Sequence, residues 1–496
     1  MTGADRMGLA SVVASLAAGG ALAPLTQDRT YLLLALALML PSMVVGALLR
    51  RARAGEVVVR LAQLAPVLGV PWLVPAAQDP FTLYAETRDF VQVALANTVV
   101  FSGQPSAVAG IVGTISADNP IAQTAMMFPR TTSALFMGKV EAAVRLGREG
   151  QAQRALQDHG IIGPAELYAI ALGLSLIEAG SFAEAEAVLA KSYQTVVEQR
   201  VPQSHTWLAL CRGRAALFEG RIGDARRWFV EARSVADSAR FTAGLRIALS
   251  GIVICAAQLG DTATAAAGAE AMTSLAPDHS LLWPERFLGL AWARVAAGDV
   301  TAAIDLLVRG ADEATSRDEH LLAVELLFEA ARFGAANKVL AAFDTAAVHC
   351  DGPLVAARVL FVRGAARGDH TKMAAAEKAF ARLSAWLCAA ESAAELARLL
   401  QRDGRPRDAQ GAMARSAQYR SDLPPVSTPG LAEPATSVEL SPREREIADL
   451  AASGVASKAI AQQLGLSVRT VSNHLQNAYL KLGISGRDDL ADALGR

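Results

Sequence analysis

The sequence predicts an all-α protein: apolar helices of transmembrane length at the N-terminus, an α-solenoid of helical hairpins, and a C-terminal module of three short helices. Three observations carry this prediction. Alanine is abundant and aromatic residues make up only 5% of the 496-residue chain, a composition that suits packed helices better than β-sandwiches. A glycine recurs every 34–40 residues between alanine-rich amphipathic stretches from about residue 130 to residue 420. The last 60 residues are punctuated by explicit helix start and stop signals.

Composition sets outer bounds. With 52% apolar and 19% charged residues, disorder is excluded for most of the chain. The mean hydropathy of +0.28 requires a search for membrane segments. A net charge of −1 excludes a chain that is basic throughout but allows a local nucleic-acid-binding patch. Cys211, Cys255, Cys350 and Cys388 form no CxxC or Cys/His cluster, so they read as buried reduced thiols, and no metal or other cofactor is expected.

Residues 1–80 read as membrane-associated helices. Tyr31–Leu49 holds 19 residues without a charge, about one bilayer crossing. Met7–Gln27 is a weaker run interrupted by Gly19, Gly20 and Pro24. Arg50, Arg51 and Arg53 follow, so the positive-inside rule makes a hairpin with the remainder of the chain anchored at the inner, cytoplasmic face. A third run, Val57–Ala77, would need a return crossing near Val91–Val112. Buried core helices are the alternative. The layout is similar to the start of transglutaminase-like multi-span membrane proteins, without a catalytic motif. Residues 81–129 divide into a candidate helix, FTLYAETRDFVQVALANTVVF, and a linker rich in Gly, Ser and Pro.

Residues 130–420 carry the repeat. The glycines are Gly180, Gly220, Gly260, Gly298, Gly334, Gly368 and Gly404, with Gly150 as an earlier member. Such a period indicates stacked helical hairpins. Each glycine ends a helix with positive φ. A small alanine shortly after it (Ala183, Ala225, Ala265, Ala302) lets the second helix pack closely, and Leu189, Phe229 and Leu306 fill the stack. The pattern resembles the tetratricopeptide repeat, which implies a surface for a peptide, a small-molecule ligand or a second copy of the chain. Residues 421–437 hold Pro424, Pro425, Pro429 and Pro434 and read as a semi-extended linker.

Residues 438–496 form a separate module. Ser441-Pro442-Arg443-Glu444 is a capping box with proline at the first helical position, and Gly454 stops that helix. Ser457 is the expected cap of a second helix, Lys458–Leu464, with Ile460 and Leu464 inward. Gly465-Leu466 makes a tight turn, and Ser467 caps a third helix that runs to Leu482. Two helices joined by such a turn make a helix-turn-helix. On the third helix Val468, Val471, Leu475, Ala478 or Tyr479, and Leu482 share the core side, while Arg469, Ser472, Asn473 and Gln476 share the opposite one. A helix with such a polar face fits the DNA major groove.

The blocks LSPREREI, SKAIAQQLGLS, RTVSNHLQNAYLKLGI and the trailing SGR resemble the LuxR/NarL-type DNA-binding domain over about 60 residues. The resemblance implies a transcriptional regulator whose partner is double-stranded promoter DNA, bound as a homodimer, with RNA polymerase as a further candidate partner. By matching positions it gives Ser472, Asn473 and Gln476 the base-reading role, and Lys458, Arg469, Thr470, His474 and Lys481 the phosphate contacts. Many relatives carry lysine where Ser472 and Gln476 stand. Seven basic and seven acidic residues balance over 438–496, so binding by one copy is expected to be weak.

Large LuxR-type regulators often begin with an ATP-binding domain. Here the lone Gly138-Lys139 pair has Ser133 in place of the earlier glycine and Val140 after it, so no phosphate-binding loop is present. Nor does the sequence show a receiver domain, a nucleophile elbow or HExxH, so no enzyme activity is expected. The alternative to a signal-responsive regulator is a scaffold whose repeats recruit a partner while DNA binding only tethers it.

Overall fold

A computed structural model describes residues 85–432 apart from 116–117, 157–163 and 278–279, and residues 440–494 apart from 483, 485 and 488. Two helices lead in: α1 (Ala85–Phe101) and the short α2 (Ala107–Val112). Eight helical hairpins follow. They are α3 (Pro120–Phe136) with α4 (Val140–Leu156), α5 (Ala165–Glu178) with α6 (Phe182–Gln199), α7 (Pro202–Phe218) with α8 (Ile222–Ser238), and α9 (Thr242–Gln258) with α10 (Thr262–Ser274). Next come α11 (Arg286–Ala296) with α12 (Val300–Ser316), α13 (His320–Ala330) with α14 (Ala336–Ala347), α15 (Pro353–Arg367) with α16 (His370–Arg382), and α17 (Trp386–Arg402) with α18 (Pro406–Tyr419).

Backbone chemistry explains the period. Every hairpin turns on a glycine with positive φ: Gly138, Gly180, Gly220, Gly260, Gly298, Gly334, Gly368 and Gly404 lie between +62° and +96°. An L-residue with a Cβ is strained in that region, so glycine marks the turns. The first member is therefore Gly138, not Gly150. Gly150 lies inside α4, where an added Cβ would stand 2.9 Å from Met127 Cβ, so it serves close packing instead.

Packing inside the stack keeps a fixed phase. The residue five beyond each turn glycine is almost fully buried: Ala143, Ala185, Ala225, Ala265, Ala303, Val339, Met373 and Ala409. Ala183 is exposed and Ala302 half-buried, so neighbours Ala185 and Ala303 hold the close-packing role expected of them. Leu189 and Phe229 are buried as expected, but Leu307 rather than Leu306 fills the stack. The phase follows from where each second helix starts, and an error of one residue turns a side chain by about 100°.

The stack curls until early hairpins meet late ones. Asp351 N–H donates to Gly138 O (2.9 Å), Lys139 Nζ donates to His349 O (2.7 Å), and a Cβ on Gly180 would lie 2.9 Å from Leu383. The inner wall formed by this closure carries buried charge. Arg214 bonds Glu178 (2.9 Å) and Glu325, and Arg358 reaches Glu178 at 3.5 Å. Arg332 holds Glu329 (2.6 Å) and Glu391 (2.5 Å), and Trp292 Nε1–H donates to Glu329.

The expected transmembrane helices are corrected here. Among the described residues no helix is long and apolar enough to cross a membrane. The region proposed for a return crossing, 91–112, is broken at Ser102–Ser106, and Val93, Val99, Val100 and Val108 are buried in the solenoid core. Ser133 Oγ–H donates to Pro105 O (2.7 Å), the Phe101 and Phe128 rings lie 5.8 Å apart, Leu281 N–H donates to Phe101 O (2.9 Å) and Ser106 Oγ–H donates to Asp318 (2.6 Å), so this segment packs on the first hairpin and is tied to the middle of the stack. The runs at 7–27, 31–49 and 57–77 lie outside the described residues.

The first part of the Pro-rich segment is held against the hairpins. Ser427 N–H donates to Gln258 O (2.8 Å), Thr428 Oγ–H donates to Glu391 (2.6 Å), and Arg398 donates to Gly430 O (3.0 Å). Thr428 and Gly430 are buried, and Leu423 covers the Gly220 turn. These contacts join three separate hairpins through one extended strap.

Candidate nucleic-acid interface

The C-terminal module has its own apolar core, built from Leu440, Ile447, Ala448, Ala451, Ile460, Ala461, Val471, Leu475, Ala478 and Leu490. Helix α19 (Pro442–Ala452) begins on the expected capping box: Glu444 N–H donates to Ser441 Oγ (3.2 Å), and Ser441 N–H donates to the Glu444 carboxylate (2.8 Å). Helix α20 (Ser457–Leu464) ends at Gly465, with φ +65°. Ala456 stands at its cap position and Ser457 is its first residue, so the expected serine cap is absent there. Ser467 does cap helix α21 (Val468–Leu482), accepting from Thr470 N–H at 3.0 Å. Only Gly465, Leu466 and Ser467 separate α20 from α21, which makes a helix-turn-helix. A four-residue helix α22 (Leu490–Ala493) follows.

Helix α21 divides sharply by burial. Val471, Leu475 and Ala478 are buried, while Arg469, Ser472, Asn473 and Gln476 are exposed within an arc of about 100° on the other side. Val468 was expected in the core, but it is the first residue of the helix and is 47% exposed. Thr470 and His474 are half-buried, between the arc and the buried side of the helix. Lys458 is exposed on α20; Lys481 belongs to α21, but its side chain lies outside the described residues. Asn477 was not singled out from the sequence. It is exposed one turn beyond Asn473, and the i+4 spacing is the signal that would have found it.

Hydrogen bonding sorts the polar groups further. Ser472 Oγ–H donates to Val468 O (3.0 Å), which leaves its oxygen to act as an acceptor. The Thr470 and Ser467 hydroxyls bond one another at 2.7 Å. Two arginines serve the fold: Arg443 donates to Leu464 O (2.9 Å), and Arg487 donates to Ala451 O (3.0 Å) and Val455 O, covering the carbonyl end of α19. The exposed cations Lys458, Arg469 and Arg445 remain at the surface. Among the described residues there is no cluster of three or more metal-ligating side chains.

This geometry defines the class: a compact helix-turn-helix domain with a polar second helix. Its family follows from comparison. The pattern for "Bacterial regulatory proteins, luxR family" matches residues 438–494, so the C-terminal domain is a luxR-family helix-turn-helix domain. Proteins named as HTH-type transcriptional regulators in Mycobacterium bovis and Mycobacterium tuberculosis are 42% identical over 57 residues, 12% of this chain and 6% of theirs. The spore germination protein GerE of Bacillus subtilis is 46% identical over 48 residues, 10% of this chain and 65% of that protein. The chain thus matches a small fraction of the mycobacterial proteins' length. A crystal structure of a Rap protein complexed with competence and sporulation factor aligns over 74% of this chain and 96% of that one, at 8% identity and a TM-score of 0.39.

Proposed function

We propose that the chain is a DNA-binding transcriptional regulator. In this reading α21 enters the major groove, where Asn473 and Gln476 bond base edges and Ser472 accepts from them. Lys458, Arg469, Thr470, His474 and Lys481 hold phosphates. The observation that carries the reading is the exposed polar arc of Arg469, Ser472, Asn473 and Gln476, set opposite the buried Val471, Leu475 and Ala478 in a luxR-family domain. Amide side chains of this kind pair bidentately with adenine, and helix-turn-helix domains place such residues on base edges. The solenoid takes a signal or protein partner that governs how two copies pair on a two-fold operator. Charge balance supports dependence on pairing: Arg443 and Arg487 are committed to backbone carbonyls, leaving few cations for phosphates.

The test is a promoter reporter in cells, comparing the chain with Asn473→Ala plus Gln476→Ala and with a deletion of residues 1–436. The double change is expected to abolish promoter-specific regulation, and the deletion is expected to remove its control by a signal. Regulation unaffected by the double change makes the chain a tethered scaffold instead. Regulation unaffected by the deletion removes the solenoid's role.

A further inference from the structure

Two adjoining chambers lie on the inner wall of the solenoid. One, of about 50 Å³, is walled by Phe136, Trp207, Phe229 and Ile247; the other, of about 60 Å³, by Phe328, Phe380 and Trp292. They share Leu217, Ile254, Leu288 and Glu325, so they abut across one largely apolar wall. Each has room for roughly four water-sized atoms.

The charges do not balance. Glu178, Glu285 and Glu325 share Arg214 and Arg358, three carboxylates against two guanidinium groups. Glu285 is the worst served of them. Its Oε1 stands 3.8 Å from Arg214, its Oε2 has no hydrogen-bond partner, and its side chain is 8% exposed. Desolvation by burial outweighs Arg214 and pushes this carboxyl up to about 7. In the second chamber the buried Gln258 Oε1 is also an acceptor without a donor, against one orphan donor, Arg358 Nε. A buried wall short of positive charge and of donors is complementary to a cationic donor, and the Leu217, Ile254 and Leu288 wall suits an aliphatic body.

We propose that the first chamber binds a small aliphatic ammonium compound, its head against Glu285 and its body along Leu217, Ile254 and Leu288. The proposal rests on the reading of the solenoid as the signal-taking part, and it supplies that signal's chemical class. Room for the equivalent of roughly four water-sized atoms limits the body to about three to five carbons. Gln258 links the adjoining second chamber to the rest of the chain: its side chain lines that chamber, while its carbonyl holds Ser427 of the strap.

The experiment is calorimetric titration and thermal melting of the full chain with n-butylamine, isopentylamine and 1,4-diaminobutane. Controls are 1-pentanol, pentanoate and potassium chloride at equal ionic strength. Saturable binding of at least one amine is expected, absent for the alcohol, the acid and the salt. Glu285→Gln is expected to weaken it at least tenfold with the helical circular dichroism unchanged. Leu288→Phe, which fills the first chamber, is expected to abolish it and serves if Glu285→Gln does not fold. No saturable amine binding to the folded chain overturns the proposal. So does equal binding by Glu285→Gln, or an equal response to pentanol, pentanoate or potassium. An amine that binds through Glu285 but leaves promoter-DNA affinity unchanged leaves the site standing and removes the signal reading. Amine binding that fails while promoter regulation still depends on residues 1–436 removes the site alone.

Discussion

Replacing Thr428 by valine should release the strap. The threonine is buried, and its hydroxyl donates to Glu391 at 2.6 Å, a carboxylate that also holds Arg332. Valine keeps the shape and removes the donor, leaving a buried carboxylate oxygen short of one bond. A hydrogen bond to a charged group contributes about 1.5–3 kcal/mol. The strap's other polar ties are Ser427 N–H to Gln258 O, a neutral bond, and the Arg398 guanidinium to Gly430 O (3.0 Å) and Ala432 O (3.3 Å). Losing the tie to the carboxylate should therefore raise opening of residues 423–431 by roughly 10- to 150-fold, at 1.4 kcal/mol per tenfold. Hydrogen exchange followed by mass spectrometry reads this segment by segment. Accelerated exchange confined to 423–431, with α17 and α9 unchanged, is the expected pattern. Exchange within twofold of the parent chain would show that Thr428 does not hold the strap.

Further outcomes follow from the same structure. Phe229→Ala empties a site gripped by Gly213 and Gly251, where an added Cβ would lie 2.9 and 2.5 Å from the ring, and should cost about 3–5 kcal/mol in urea unfolding; a loss below about 1 kcal/mol would contradict that packing. Glu285 and Glu319 are both pushed by burial from 4.5 to about 7, so the folded state holds their protons more tightly than the unfolded chain does. Their contribution to stability is complete below about pH 4.5 and lost as pH rises through 7. Glu178, Glu319, Glu325 and Arg214 set the field at Glu285, and Glu285→Gln should flatten the decline in melting temperature across that window. Arg487→Ala removes the cover from the Ala451 and Val455 carbonyls and should destabilise the C-terminal domain by about 1–3 kcal/mol in chemical melts, with no change in the solenoid transition.

What the sequence made legible was whatever has a local chemical signature. Turn glycines are legible because only glycine takes positive φ cheaply, and seven of the eight were placed from spacing alone. Gly150 misled because glycine also appears where helices approach closely, and the sequence does not separate the two uses. Ala183 and Leu306 were each off in phase because helix faces depend on the first helical residue. The capping box at Ser441 and the polar arc on α21 are local i, i+3 and i+4 patterns, so both could be read directly. The strap could not, since a Pro-rich composition suits either a free linker or an anchored one, and its partners Gln258 and Glu391 lie far away in sequence. The buried Arg214 and Arg332 networks were equally hidden, because isolated charges on alanine-rich helices read as solvated.

The most direct measurement is binding of the full chain to duplexes selected from a randomised library, followed by fluorescence anisotropy on the selected sequence and a scrambled one. The account predicts a clear preference for the selected duplex. Asn473→Ala plus Gln476→Ala should erase that preference while salt-dependent binding to both duplexes persists. Selection of no common sequence by the folded chain, or a preference that survives the double change, would contradict the assignment of α21 as the base-reading helix.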